Sequence, residues 1–327
     1  MSTASLVPET YDLDGDDALQ TLRRTGWGRL AKDCFLRFRY ADGFSHVRAL
    51  AFQIALTLPP ALIAAVGLAT LLHAEHFRDI LRRTATRLAP GPAGDVIATA
   101  VQHGQRAVGG GARAALVLGL LAALVSATTA MGQVERGANR IYGVERDRPT
   151  LRKYTVGFLL ACSAGLAMVI ALVLVVTGED IAKAIGFSGA GETLWGVLRW
   201  PVAVALLVAG VAVLFRVSPR RRQPAPSWLA VGSALSVLLG FAFTWLLSLF
   251  LTASRTFGQT YGPLAGTMGV LVWAFLMSLA ILLGLAFAAQ LEAVRAGTPK
   301  PITGERMSRT GSEALPSGTR RILNTLR

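Results

Sequence analysis

Six long apolar stretches divide the chain, at about 48–72, 111–131, 154–177, 197–217, 228–251 and 263–291. Each supplies the roughly 20 residues that an α-helix needs to cross about 30 Å of hydrocarbon. The pattern predicts an all-α, polytopic membrane bundle with six transmembrane helices. Pro59-Pro60 falls inside the first stretch, where missing amide donors and ring clashes predict a kink. Between the first two stretches, Phe77, Ile80, Leu81, Thr84 and Leu88 recur at helical spacing beside Arg78, Arg82, Arg83 and Arg87. Pro90-Gly91-Pro92 interrupts that pattern, and Val96, Ile97, Ala100 and Val101 resume it. The segment 73–113 therefore reads as an extracytoplasmic amphipathic helical hairpin.

Outside the spans the pattern changes. Residues 1–20 are polar and acidic, with Glu9, Asp12, Asp14, Asp16 and Asp17, and read as a disordered tail. Over 21–40, Leu22, Trp27, Leu30, Phe35 and Phe38 are interleaved with Arg23, Arg24, Arg29, Lys32, Arg37 and Arg39. That combination suits an amphipathic helix lying on the inner leaflet. The membrane domain then runs to about residue 296. Residues 297–327 are rich in Gly, Ser, Thr, Pro and charge, and read as a disordered cytoplasmic tail.

Composition agrees with a membrane domain: the chain is 53% hydrophobic and only 16% charged. Its net charge of +14 is unevenly placed, because 24 of the 33 Lys and Arg residues fall on the side that holds both termini. Short Arg-rich loops stay cytoplasmic, so both termini are expected inside. The charge is thus topological and attracts anionic lipid headgroups at the cytoplasmic rim, and no nucleic-acid module accompanies it. The first apolar run begins too deep for a signal peptide. Cys34 precedes span one and Cys162 lies within span three, a placement that predicts neither a disulfide nor a metal site.

The span interiors hold no ionisable residue at mid-depth, which argues against a conventional proton relay. They do hold Gln53, Thr57, Ser126, Thr128, Thr129, Thr244, Ser248 and Ser278. Hydroxyls of this kind commonly bond helix carbonyls. A Gln amide in hydrocarbon is costly without partners, so Gln53 marks either a helix–helix bond or a polar groove. His73 and His76, near Glu75 and Asp79, place two imidazoles on one helix face, but zinc requires three or four ligands and the two His read as interfacial. There is no phosphate loop, nucleophile elbow or isolated carboxylate pair, so neither an enzyme nor a cofactor is expected. Gly258, Gly262 and Gly266 recur every four residues into span six, a spacing that lets helices approach closely.

Three segments carry a family resemblance. They are Ala49-Leu50-Ala51-Phe52 leading to Pro59, Gly137-Ala138-Asn139-Arg140-Ile141-Tyr142 after span two, and Thr260-Tyr261-Gly262-Pro263-Leu264-Ala265-Gly266 continuing through Leu271-Val272-Trp273 to Leu283-Gly284. With six spans in matching order, the chain over about 30–295 resembles the YihY / virulence factor BrkB family of bacterial inner-membrane proteins, once labelled ribonuclease BN. The resemblance implies a multi-pass inner-membrane protein concerned with envelope integrity and with movement of lipids or lipid-like molecules. It also implies an acidic residue two positions after Gly284, where this chain has Ala286. The ribonuclease label finds no support in the residues present.

Two functions follow as expectations. One is movement of an amphiphile between leaflets. The other is a non-transporting structural or assembly factor with envelope protein partners, and a homo-oligomer is compatible with both. The candidate positions are Gln53, Pro59, Asn139, Tyr142, Tyr261, Gly262, Trp273 and Gly284. Asn139 could cap or bond a loop, while Tyr142 and Trp273 also suit packing at the interface.

Overall fold

A computed structural model describes residues 4–10, 12–71, 112–171, 173–175, 189–254, 261 and 264–302. Its helices are α1 (Gly15–Thr25), α2 (Trp27–Tyr40), α3 (Gly43–Leu71), α4 (Ala112–Ile141), α5 (Thr150–Leu160), α6 (Ala190–Val217), α7 (Pro226–Ala253) and α8 (Ala265–Arg295). A π-helical turn over Ala161–Gly165 continues α5, and helix resumes beyond it. With α5 and its continuation taken together as Thr150–Val175, six helical runs are long and apolar enough to cross a membrane. Among the described residues there is no strand, only an isolated bridge between Ala4 and Ile302. The expected all-α, six-span bundle is what the chain forms. Residues 73–111 of the predicted hairpin, with His73 and His76, and the site candidate Gly262 lie outside the described residues, while Ala112 and Arg113 open α4.

The spans pack in chain order. α3 lies on α4, α4 on α5, the π-turn on α6, α6 on α7, α7 on α8, and α8 returns to α3. Consecutive pairing closes the helices into a ring. α1 and α2 pack against α7 and α8 at the end of the bundle where the two described ends of the chain meet, called here the terminal end.

Helix limits differ from the apolar runs for a physical reason: apolarity ends where the membrane ends, whereas a helix continues while its amides have partners. α4 runs on to Ile141, well past the end of its apolar stretch, and carries Glu135 and Asn139 into the terminal end. It stops at Gly143, whose φ of 76° supplies the left-handed turn, and Val144 N–H bonds Asn139 O at 2.7 Å. α7 starts at Pro226 in its first turn, where a missing amide costs nothing.

The acidic N-terminal segment differs most from its sequence reading. Residues 4–10 have no helix but bury Ala4 and Val7, and Gly15–Thr25 is a helix, so the expected disorder over 1–20 does not hold for these residues. Val7, Ala18 and Leu22 are buried, and the Asp17 carboxylate accepts from Arg295 at 3.5 Å. Asp16 and Asp17 in the first turn, with Arg23 and Arg24 in the last, also suit the helix dipole. The single helix expected over 21–40 is two, separated at Gly26 with φ 83°. The face of α2 made by Leu30, Cys34, Arg37 and Phe38 is buried in protein rather than turned to lipid. Residues 297–302 are likewise held, because Ser5 N–H bonds Pro301 O at 3.0 Å.

Burial is graded along the bundle. The terminal end is densely packed around Leu30, Phe38, Ile141, Phe215, Trp228, Leu285 and Leu291. A second cluster, Leu50, Ala130, Val134, Leu160, Ala164 and Leu214, fills the ring just beyond it. Farther out, Val117, Leu121, Val125, Trp245 and Phe250 are exposed, as lipid-facing side chains must be. α7 and α8 approach closely where Gly232 and Gly284 face each other.

Candidate functional site: a polar lock at the terminal end

The terminal end is held by charged side chains that are out of contact with water. Arg37 is fully buried. Its Nε donates to Gln290 Oε1 at 2.8 Å, one terminal nitrogen donates to Ser5 O (2.9 Å) and Ile141 O (3.1 Å), and the other to Ser5 Oγ (3.0 Å). Gln290 in turn donates to Pro299 O at 2.7 Å. One guanidinium thus joins both described ends of the chain, the end of α4 and the last turns of α8. Burial pulls its pKa down to about 10, with Tyr142 and Cys34 pulling the other way, so it stays charged at neutral pH. The neighbouring Cys34 thiol is pushed up to about 12, chiefly by burial, and is unreactive.

Beside it, Arg221 grips Glu292 with both terminal nitrogens, at 2.7 and 3.3 Å. This fork-on-carboxylate pair is buried on both sides, with side chains 3% and 0% exposed. Thr10 donates to the same carboxylate at 2.6 Å, and Arg221 also donates to Pro8 O at 3.0 Å. The guanidinium lies over the Tyr142 ring, 4.6 Å from its centroid. Burial raises the Tyr142 phenol well above its ordinary range, and the Glu292 charge adds to that.

Asn139 joins two loops. Its amide donates to Asp147 Oδ1 at 2.9 Å, and its oxygen accepts Arg220 N–H at 2.7 Å. Arg148 extends this junction: it pairs with Glu135 at 3.2 Å and donates to the carbonyls of Val217, Ser218 and Pro219. Those carbonyls end α6, where a cation is favoured.

Of the sequence-predicted positions, Asn139 and Tyr142 fall in this lock, and Gly284 lies deeper on α8 at the contact with α7. Gln53 and Trp273 sit elsewhere, at separate helix pairs. Thr129 donates to Gln53 Oε1 at 2.9 Å across α3 and α4, and Trp273 Nε1 donates to Thr244 at 3.3 Å across α7 and α8. Pro59 and Tyr261 are exposed. Arg37, Arg221, Gln290, Glu292, Arg148 and Glu135 were not singled out by the sequence. A stripe at Leu30, Cys34 and Phe38 turns Arg37 inward, and this spacing was the available signal for it.

The Gln53–Thr129 bond has a modest expected value. Gln53→Leu should cost roughly 0.6–1.7 kcal/mol, the range for hydrogen bonds between membrane helices. In a double-mutant cycle with Thr129→Val, read from unfolding in detergent, the two losses should be less than additive. Full additivity would mean that the bond contributes nothing.

A family model described as virulence factor BrkB matches residues 34–309. The ribonuclease-like protein YfkH of Bacillus subtilis is 25% identical over 257 residues, covering 77% of this chain and 91% of YfkH. A UPF0761 membrane protein of Aromatoleum aromaticum is 28% identical over 248 residues, covering 74% of this chain and 58% of that protein. A UPF0761 membrane protein of Azoarcus is 28% identical over 251 residues, covering 75% and 59%. The chain thus spans a little over half the length of these last two relatives. No solved structure matches it.

Proposed function

The chain belongs to the virulence factor BrkB family of membrane proteins, and from that premise we propose that its helical ring moves an amphiphilic lipid between leaflets. One observation carries the reading: the ring is locked and dense at the terminal end, while beyond it the spans hold half-buried polar residues without charge. These are Gln53, Thr57, Ser126, Thr128, Thr129, Thr244 and Ser248. Amide and hydroxyl groups can exchange hydrogen bonds with a passing headgroup without holding it as a buried charge would. On this reading the chain acts in a bacterial inner membrane with its terminal end in the cytoplasm, where exposed arginines such as Arg136 and Arg152 meet anionic lipid. The reaction is movement of a molecule rather than bond cleavage. The ribonuclease-like name belongs to YfkH and is not carried to this chain.

The test is exchange of a fluorescent phosphatidylglycerol across proteoliposome leaflets, read by quenching from outside. Exchange faster than in empty vesicles is expected, and equal rates in both anionic and zwitterionic vesicles would sink the reading. A second reading, a structural or assembly factor for the envelope, draws on the Gln53–Thr129 bond and the close Gly232–Gly284 contact. Both are ways of fastening helices together. Crosslinking that recovers a specific envelope partner, or a second copy of the chain, together with null exchange would favour it.

A further inference from the structure

Segment 4–10 lies over Arg37, whose acceptors are all uncharged, and over Arg221, whose Nε has no hydrogen-bond partner. We infer that this segment is a displaceable strap seated in a phosphate-binding groove, and that the groove's ligand is the phosphate of an anionic phospholipid. Arg37 spends three of its bonds on Ser5 O, Ser5 Oγ and Ile141 O, all uncharged acceptors. Arg221 spends one on Pro8 O, and its Nε is buried with no hydrogen-bond partner. The main-chain N–H of Arg222 is taken by the one charged acceptor that the strap offers, Glu9 Oε1, at 3.1 Å. A phosphate brings charged oxygens to the same donors, and charge-assisted bonds of this kind are roughly twice as strong as neutral ones.

The strap is built to leave. It has no helix or sheet of its own beyond the bridge to Ile302. Ala4 and Val7 are buried, but Leu6, at 64% exposure, Pro8 and Glu9 face outward. It crosses Gly143 so closely that a Cβ there would stand 2.7 Å from Leu6 Cα, so the chain beneath it is shaped to admit a backbone. The opposing charge, Glu292, is held by two bonds from Arg221 and one from Thr10. The ends of two candidate spans, at Val217 and Arg295, lie close to the groove in sequence. Binding is a separate property from exchange, so the inference stands or falls apart from the transport reading.

The test uses full-length protein in phosphatidylcholine nanodiscs titrated with phosphatidylglycerol, with bound lipid counted by native mass spectrometry. A variant lacking residues 2–10 should bind phosphatidylglycerol about tenfold tighter than the parent, the population shift expected when a competing occupant is removed. Adding Arg37→Gln or Arg221→Gln should abolish that gain. A second pair of measurements does not depend on the deletion folding: Ala4→Cys with Ile302→Cys, in a Cys162→Ser background, tethers the strap when oxidised. The oxidised form should bind less phosphatidylglycerol than the reduced form. Equal binding with strap present, absent or tethered would overturn the proposal. So would equal gains for phosphatidylcholine, or displacement of the lipid by inorganic phosphate at matched concentration, which would assign the groove to the free ion.

Discussion

Replacing Arg221 with alanine should lower stability by about 3–5 kcal/mol, the cost of leaving a buried carboxylate without its partner. The substitution strips Glu292 of two bonds while Thr10 keeps one, and it removes the cation from the Tyr142 ring. The loss should appear as a large fall in the unfolding midpoint in detergent, followed by tryptophan fluorescence. Buried Trp228 sits in the same core cluster as Tyr142 and reports on that end. Arg221→Met with Glu292→Leu should recover much of the loss, because an apolar pair needs no compensation for desolvation. A fall of under about 0.5 kcal/mol for Arg221→Ala, the range of ordinary surface changes, would show that the pair is not buried as described.

Gly284→Ala is the second large effect expected, although it adds a single methyl group. Its Cβ would stand 2.6 Å from the Gly232 carbonyl oxygen and 3.0 Å from Ser236 Cβ. Backbone cannot move aside as the end of a flexible side chain can, so α7 and α8 must separate. Overpacking of this kind costs about 1–3 kcal/mol. Gly240→Ala is the matched control on α7. Its nearest neighbour is Met277 Sδ at 3.6 Å, an ordinary contact, so the change should be neutral or slightly stabilising. Equal behaviour of the two variants would mean that the close approach at Gly284 does not constrain the helices.

The fold was legible because crossing a membrane imposes a length and an apolarity that no other element needs, and six stretches meet both. The resemblance pointed to Asn139, Tyr142 and Gly284, and these do occupy tight or buried places. What a one-dimensional pattern hides is partnership. Glu9, Asp17 and Thr10 read as disordered polar residues because their partners, Arg222, Arg295 and Glu292, stand more than two hundred positions away. Arg37 looked like one cation among many, although three apolar neighbours on its helix face carry it inside. Gln53 was read as a polar marker open to two meanings, and its partner Thr129 lies on the next span. The π-turn over Ala161–Gly165 carries no Pro and no other compositional sign.

The lock also sets an order on synthesis. Ser5 bonds Lys300 O, a separation of 295 residues, and Gln290 bonds Pro299 O. Gln290 and Glu292, which complete the bonding of Arg37 and Arg221, are made only with α8, so the early segment that reaches these arginines is not fully fastened until α8 is in place. Until then Arg37 lacks Gln290, and both Arg221 and Thr10 lack the Glu292 carboxylate. Closure of the terminal end is therefore a late event in folding, set by the arrival of Gln290 and Glu292 on α8.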